Sequence, residues 1–167
     1  YYYLVIRKFK KEREMYDDID PLLGCNSFNK FKREATDILN TNKFSQYALV
    51  YLGINKFSFI QDQFGQEITN ETLRYIGKVI SKCITPNETY GHISDDKFIF
   101  LMRYSRVQEL NDRIMILRAV INNFETLKSR DYTLILNIGV FCIDHERSYT
   151  IQEMIDRAII AQGASSR

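Results

Sequence analysis

The stretch that most constrains this chain is an uninterrupted apolar run, Tyr47-Ala48-Leu49-Val50-Tyr51-Leu52-Gly53-Ile54. It has the length of a strand but no alternation of polar and apolar residues, so both of its faces need cover and it reads as the buried centre of a sheet. The cover lies on either side in sequence. From Ser27, an N-cap residue, Phe28, Phe31, Ala35, Ile38 and Leu39 recur at helical spacing until Asn40-Thr41-Asn42. Downstream, a short helical piece from Lys56 to Phe64 is ended by Gly65, and a longer one presents Leu73, Ile76, Ile80, Cys83 and Ile84 on one face until Pro86. These two pieces are expected to cover one side of the sheet.

Two β-rich runs follow, Tyr90-Gly91-His92-Ile93 and Phe98-Ile99-Phe100-Leu101-Met102. The turn formers of Ser94-Asp95-Asp96-Lys97 make them a tight hairpin. Val107, Leu110, Ile114, Leu117, Ile121 and Phe124 then step by three and four as a helix, Tyr132 to Cys142 reads as a strand, and a last helix runs from about Thr150 to Gln162. This order predicts an α+β domain with a largely antiparallel sheet and helices on its faces.

With 167 residues and 45% hydrophobic content the chain has the material for one folded domain. A formal net charge of +2 gives no electrostatic reason to expect a nucleic-acid partner. Three dispersed cysteines, Cys25, Cys83 and Cys142, form neither a disulfide framework nor a zinc motif and suit a reducing cytosol. The two histidines, His92 and His145, lack a partner at metal spacing and read as ordinary surface or core residues.

Ahead of the domain, Tyr1-Tyr2-Tyr3-Leu4-Val5-Ile6 gives way abruptly to the mostly basic Arg7-Lys8-Phe9-Lys10-Lys11. The run is far shorter than the ~20 residues that cross a bilayer, yet tyrosines followed by lysines resemble the cytoplasmic exit of a membrane span. Residues 1–19 are therefore expected to be a juxtamembrane or linker helix. Asp17-Asp18-Ile19-Asp20-Pro21 is the boundary, and residues 20–167 form the domain.

Separated segments along the chain resemble, in order, the GGDEF family of diguanylate cyclases. Asp20, Leu22, Gly24 and Phe31 keep its opening DxLTGLxNRRxF-like pattern. Gly53 to Gln66 stands where the family has DxDxFKxxNDxxGH, and His92-Ile93-Ser94-Asp95-Asp96-Lys97-Phe98 where it has RLGGDEF. Asn137-Ile138-Gly139-Val140 matches SIGVA, and Asp156, Ala158, Ile159 and Arg167 echo the closing ADxALYxAKxxGR pattern. The resemblance implies a fold like the palm of nucleotidyl cyclases and polymerases, with a central, mostly antiparallel five-stranded sheet flanked by helices.

Active members of that family join two GTP molecules head to tail across a dimer, using two divalent metals held by hard carboxylates. By the resemblance, the first metal carboxylate falls at Gly53 and the second at Asp96, the one candidate ligand retained. The acidic fourth motif position is Lys97, whose cation opposes a metal, and the two glycines that let phosphate approach are Ser94 and Asp95. Asn55 brings no charge, the base-reading positions are Gln61 and Asn70, and the phosphate-binding lysines are Ser58 and Gly163, leaving Arg167 as the matching phosphate contact. The product-inhibition motif RxxD falls on Thr85-Pro86-Asn87-Glu88, without its arginine.

The resemblance therefore implies a degenerate, non-catalytic regulatory domain of a bacterial cyclic di-GMP signalling protein. No catalytic residue, metal or cofactor is expected, although active relatives require Mg2+ and GTP. The expected partners are a second copy in a homodimer and an EAL-type phosphodiesterase domain C-terminal in the parent chain. The domain is expected in the cytoplasm of a parent anchored in the inner membrane through a segment preceding Tyr1. The alternatives are a weak nucleotide-binding or residual nucleotide-processing domain using Asp96, and an inert spacer that transmits motion.

Overall fold

The computed structural model describes residues 1–165, with residues 13–16 and 165 described by their backbone alone. Helix α1 (Tyr2–Asp18) leads in and stops where Ile19 turns extended, two residues before Pro21. Helix α2 (Phe28–Thr41) is capped by Ser27, whose Oγ accepts the Lys30 N–H at 3.1 Å. Strand β1 (Gln46–Ile54) is buried from Tyr47 to its end.

Helix α3 (Phe57–Cys83) precedes the hairpin of β2 (Thr89–Ser94) and β3 (Lys97–Tyr104). Helix α4 (Val107–Asn122), a short α5 (Glu125–Lys128), strand β4 (Leu136–Cys142) and α6 (Ile151–Ser165) complete the chain. The sheet order is β2-β3-β1-β4 and all three pairings are antiparallel.

Side chains alternate across a strand, and that period of two divides β1 between two cores. Ala48, Val50, Leu52 and Ile54 face α3 and α4, packing with Ile60, Leu73, Ile76, Ile80, Leu110 and Leu117. Tyr47, Leu49 and Tyr51 face α2 and α6, meeting Phe31, Ala35, Met154, Ile155 and Ala158. At roughly 25 cal/mol per Å2 of apolar area, this double-sided burial is the principal stabilisation, and it explains why no polar residue interrupts β1.

Two expectations are corrected. The described residues form four strands, not five. Beyond β4 the chain is loop and then helix, because Met154, Ile155 and Ala158 keep helical spacing and bury on the sheet. The run from Tyr132 also becomes strand only at Leu136. The Tyr132 ring is captured instead by α3, its centroid 6.1 Å from that of Phe59 and 5.3 Å from that of Phe64, and the Ile135 carbonyl accepts the Asn55 N–H at 2.8 Å.

The break read at Gly65 is present as a kink within α3, at φ 82° and ψ 172°. That conformation is open essentially to glycine alone. Open space surrounds the position, so the cost of a side chain there is conformational rather than steric. Gly65→Ala is expected to destabilise the domain by about 1–3 kcal/mol, read as a lower midpoint in urea with an unchanged slope.

Candidate functional site

The β2–β3 turn consists of Asp95 and Asp96, since Ser94 and Lys97 are paired across it. Asp95 takes a left-handed φ of 47°, which aspartate tolerates better than most residues. His92, 5% exposed, holds the turn from below. Its Nδ1 lies 2.7 Å from Asp20 Oδ2 and its Nε2 lies 2.8 Å from the Asp95 carbonyl oxygen. A carbonyl only accepts, so Nε2 donates to it. His92 thus ties the loop after α1 to the turn, a role its isolated place in sequence does not disclose.

Asp96 is 5% exposed, and its Oδ2 accepts the Ile54 N–H at 2.7 Å. The same oxygen lies 3.3 Å from the Lys97 ammonium. The turn carboxylate is therefore bonded to the end of β1. Gly53, one residue earlier, is equally close to the lysine: a Cβ at position 53 would lie 2.6 Å from Lys97 Nζ, 2.9 Å from Gln162 Nε2 and 3.1 Å from Lys97 Cδ. The ammonium stands in the space a side chain at 53 would enter.

This donor set does not fit a divalent metal. Hard cations need several oxygen ligands with charge to spare, and no cluster of three or more acidic, histidine or cysteine side chains exists among the described residues. The buried carboxylate of the turn, Asp96, already faces an ammonium, and a second cation beside Lys97 would meet direct repulsion.

The remaining predicted positions scatter. Asn55 is half-buried with its N–H bonded to Ile135, and Ser58 and Gln61 lie in the first turns of α3, exposed and half-buried. Asn70 lies beyond the kink and accepts the Gln66 amide at 2.7 Å. Gly163 is exposed on α6 with open space around it, and Arg167 lies outside the described residues. Gln162 was not foreseen. It reaches the Asn137 carbonyl at 3.2 Å, opposite Gly53 in the β1–β4 register; its signal in sequence is only adjacency to Gly163.

At Thr85–Glu88 the carboxylate is consumed internally. The Glu88 side chain is 0% exposed. Its Oε1 accepts Thr85 N at 2.9 Å, Thr85 Oγ1 at 2.6 Å and Arg113 Nη2 at 2.8 Å. Its Oε2 accepts Arg103 N and Arg113 Nη1, both at 2.7 Å. Arg113 also donates to the Cys83 carbonyl at 3.0 Å, so one forked pair joins α3, α4 and the hairpin.

Comparison with known proteins agrees with this architecture. The family model described as diguanylate cyclase, GGDEF domain, matches residues 15–164. The signaling protein YkoW of Bacillus subtilis (strain 168) is 22% identical over 139 residues, which is 80% of this chain and 17% of that protein. Among solved structures, diguanylate cyclase SiaD in complex with its activator SiaC, from Pseudomonas aeruginosa, aligns with TM-score 0.79 at 16% identity over 99% of this chain and 64% of that one. The FimX GGDEF domain from Pseudomonas aeruginosa aligns with TM-score 0.75 at 18% identity over 90% of this chain and 94% of that one. At these identities the structures establish a shared fold.

Removing Arg113 strands a buried carboxylate, so Arg113→Met is expected to cost about 3–5 kcal/mol, measured by urea unfolding. Burial alone would raise the Glu88 pKa, but the Arg113, Thr85 and Arg103 donors outweigh it and hold it below the ordinary 4.5. Asp20 behaves alike: burial raises it, and the His92 contact with the Leu23 and Leu22 N–H groups brings it below 3.8. Both groups are therefore protonated more readily in the unfolded chain. Their contribution to stability is complete above about pH 4.5 and disappears as pH falls through the lowered folded values, an acid transition that Glu88→Gln should weaken.

Proposed function

Because the chain belongs to the GGDEF family of diguanylate cyclases, we propose that it is a regulatory member that has given up the cyclase reaction. One observation carries this reading: position 53 has no carboxylate, while the carboxylate of Asp96 is committed to the Ile54 N–H and faces the Lys97 ammonium. Two-metal chemistry needs a clamp of negative charge around both the attacking and the leaving oxygen. The turn supplies a charge-balanced pair instead.

Further support comes from the Thr85–Glu88 turn, where Glu88 spends its acceptors on Thr85, Arg103 and Arg113 and has no arginine three residues before it. Cyclic di-GMP would have to break a buried ion pair to bind there. The domain thus acts through its contacts, by dimerising or by biasing an output domain such as an EAL phosphodiesterase in a longer signalling protein.

Helix α1 supports a link to other parts of such a protein. Its Tyr2, Tyr3, Leu4 and Phe9 are exposed beside Arg7, Lys8, Lys10 and Lys11, the mixture that favours a membrane surface or a partner helix. No described helix is itself long and apolar enough to cross a membrane.

Incubating the purified chain with GTP and Mg2+ or Mn2+, with chromatography of the nucleotides, should give no cyclic dinucleotide. Product that disappears in Asp96→Asn would overturn the proposal. Calorimetric titration with GTP, ATP and cyclic di-GMP separates a nucleotide sensor, which gives saturable heat without turnover, from a domain that works by protein contacts alone.

A further inference from the structure

Resting on the non-catalytic reading, the geometry of the turn assigns Lys97 a positive role: we infer that its ammonium is the site's own resident cation, and that Gly53 and Lys97 are a matched pair, each tolerable because of the other. Three observations converge on it. The Asp96 side chain is 7% exposed, and a carboxylate taken that far out of water requires a counter-charge. The Ile54 N–H at 2.7 Å supplies a partial one and the ammonium at 3.3 Å a whole one. The buried balance is one to one: the Asp96 carboxylate is neutralised by a monovalent cation, with the turn's other carboxylate, Asp95, exposed to water.

Space enforces the same pairing. A side chain at 53 would begin 2.6 Å from Nζ and 3.1 Å from Cδ of Lys97. Both atoms belong to a flexible chain that can swing away, so position 53 need not be glycine for the backbone to fold. It must be glycine for the ammonium to remain beside Asp96. Gln162, 2.9 Å from the same virtual Cβ and bonded to the Asn137 carbonyl, walls off the other side. The site has thus exchanged a diffusible cation for a tethered one, and the turn is held independently of magnesium.

The inference makes the two positions energetically coupled. Lys97→Met removes the counter-charge of Asp96 and should lower the melting temperature. Gly53→Ala displaces the ammonium and should lower it by a similar route. The double variant should lose clearly less than the sum of the two, because the second change has nothing left to displace. Losses that simply add would overturn the pairing, whether or not the domain makes a cyclic dinucleotide.

Metal binding gives an independent reading. Mn2+ followed by its electron paramagnetic resonance signal should show no saturable binding to the wild-type chain at millimolar concentration. Gly53→Asp combined with Lys97→Glu places two further carboxylates beside Asp96, and should bind Mn2+ about tenfold or more tightly than wild type, since affinity for a hard cation rises with ligand charge. Saturable wild-type binding that is lost in Asp96→Asn would sink the inference while leaving the absence of turnover intact. Should the doubly acidic variant fail to fold, the Gly53→Ala and Lys97→Met cycle still decides the matter.

Discussion

The arrangement depends on one constraint, the burial of β1 on both faces. A strand with Ala48, Val50, Leu52 and Ile54 in one core and Tyr47, Leu49 and Tyr51 in the other cannot shift register by one residue without exchanging both sets. Its end is therefore fixed relative to β3 and β4, its partners on either side. That fixity brings the Ile54 N–H within 2.7 Å of Asp96. The chemistry of the turn is thus a consequence of core packing, not of the turn sequence alone.

Much of this architecture was legible because its signals are local. A continuous apolar run, the helical spacing of Phe31 and Ala35 after Ser27, and the turn formers at Asp95-Asp96 each specify an element without reference to the rest of the chain. The failure at Tyr132 has the opposite character. Tyr132 itself and the β-branched Thr133 and Ile135 favour a strand, but the ring finds Phe59 and Phe64 on α3, and tertiary packing outweighs so weak a preference. The five-stranded expectation came from the resemblance and had no fifth β-rich run behind it.

The candidate site was legible only in part, for the same reason. Gly53, Asp96 and Lys97 could be singled out by the motifs they occupy, and the missing carboxylate follows directly from the glycine. That Lys97 uses the room left at 53 could not be read, because it depends on two strands meeting in one register. The links from His92 to Asp20 and from Arg113 to Glu88 are equally hidden, spanning 72 and 25 residues of sequence. A charged residue beside a buried helix face, as Arg113 is on α4, carries no sign of its partner.

These links place the hairpin under restraint from every side. His92 holds the turn to the loop that follows α1, Asp96 holds it to β1, and Glu88 with Arg113 holds the hairpin's opposite end to α3 and α4. Each restraint is a charged or polar group taken out of water and satisfied by donors of another element, which makes it strong when complete and costly when broken. Asp20, just after α1, is linked through His92 to the Asp95 carbonyl, while Asp18 at the end of α1 is bonded to the Ser27 N–H and to Arg33 of α2. The loop after α1 and the turn are consequently coupled by a short polar path while the sheet beneath them stays fixed by β1. The loop that follows the entry helix and the β2–β3 turn are in this way joined through a single imidazole, bonded to Asp20 on one side and to the Asp95 carbonyl on the other.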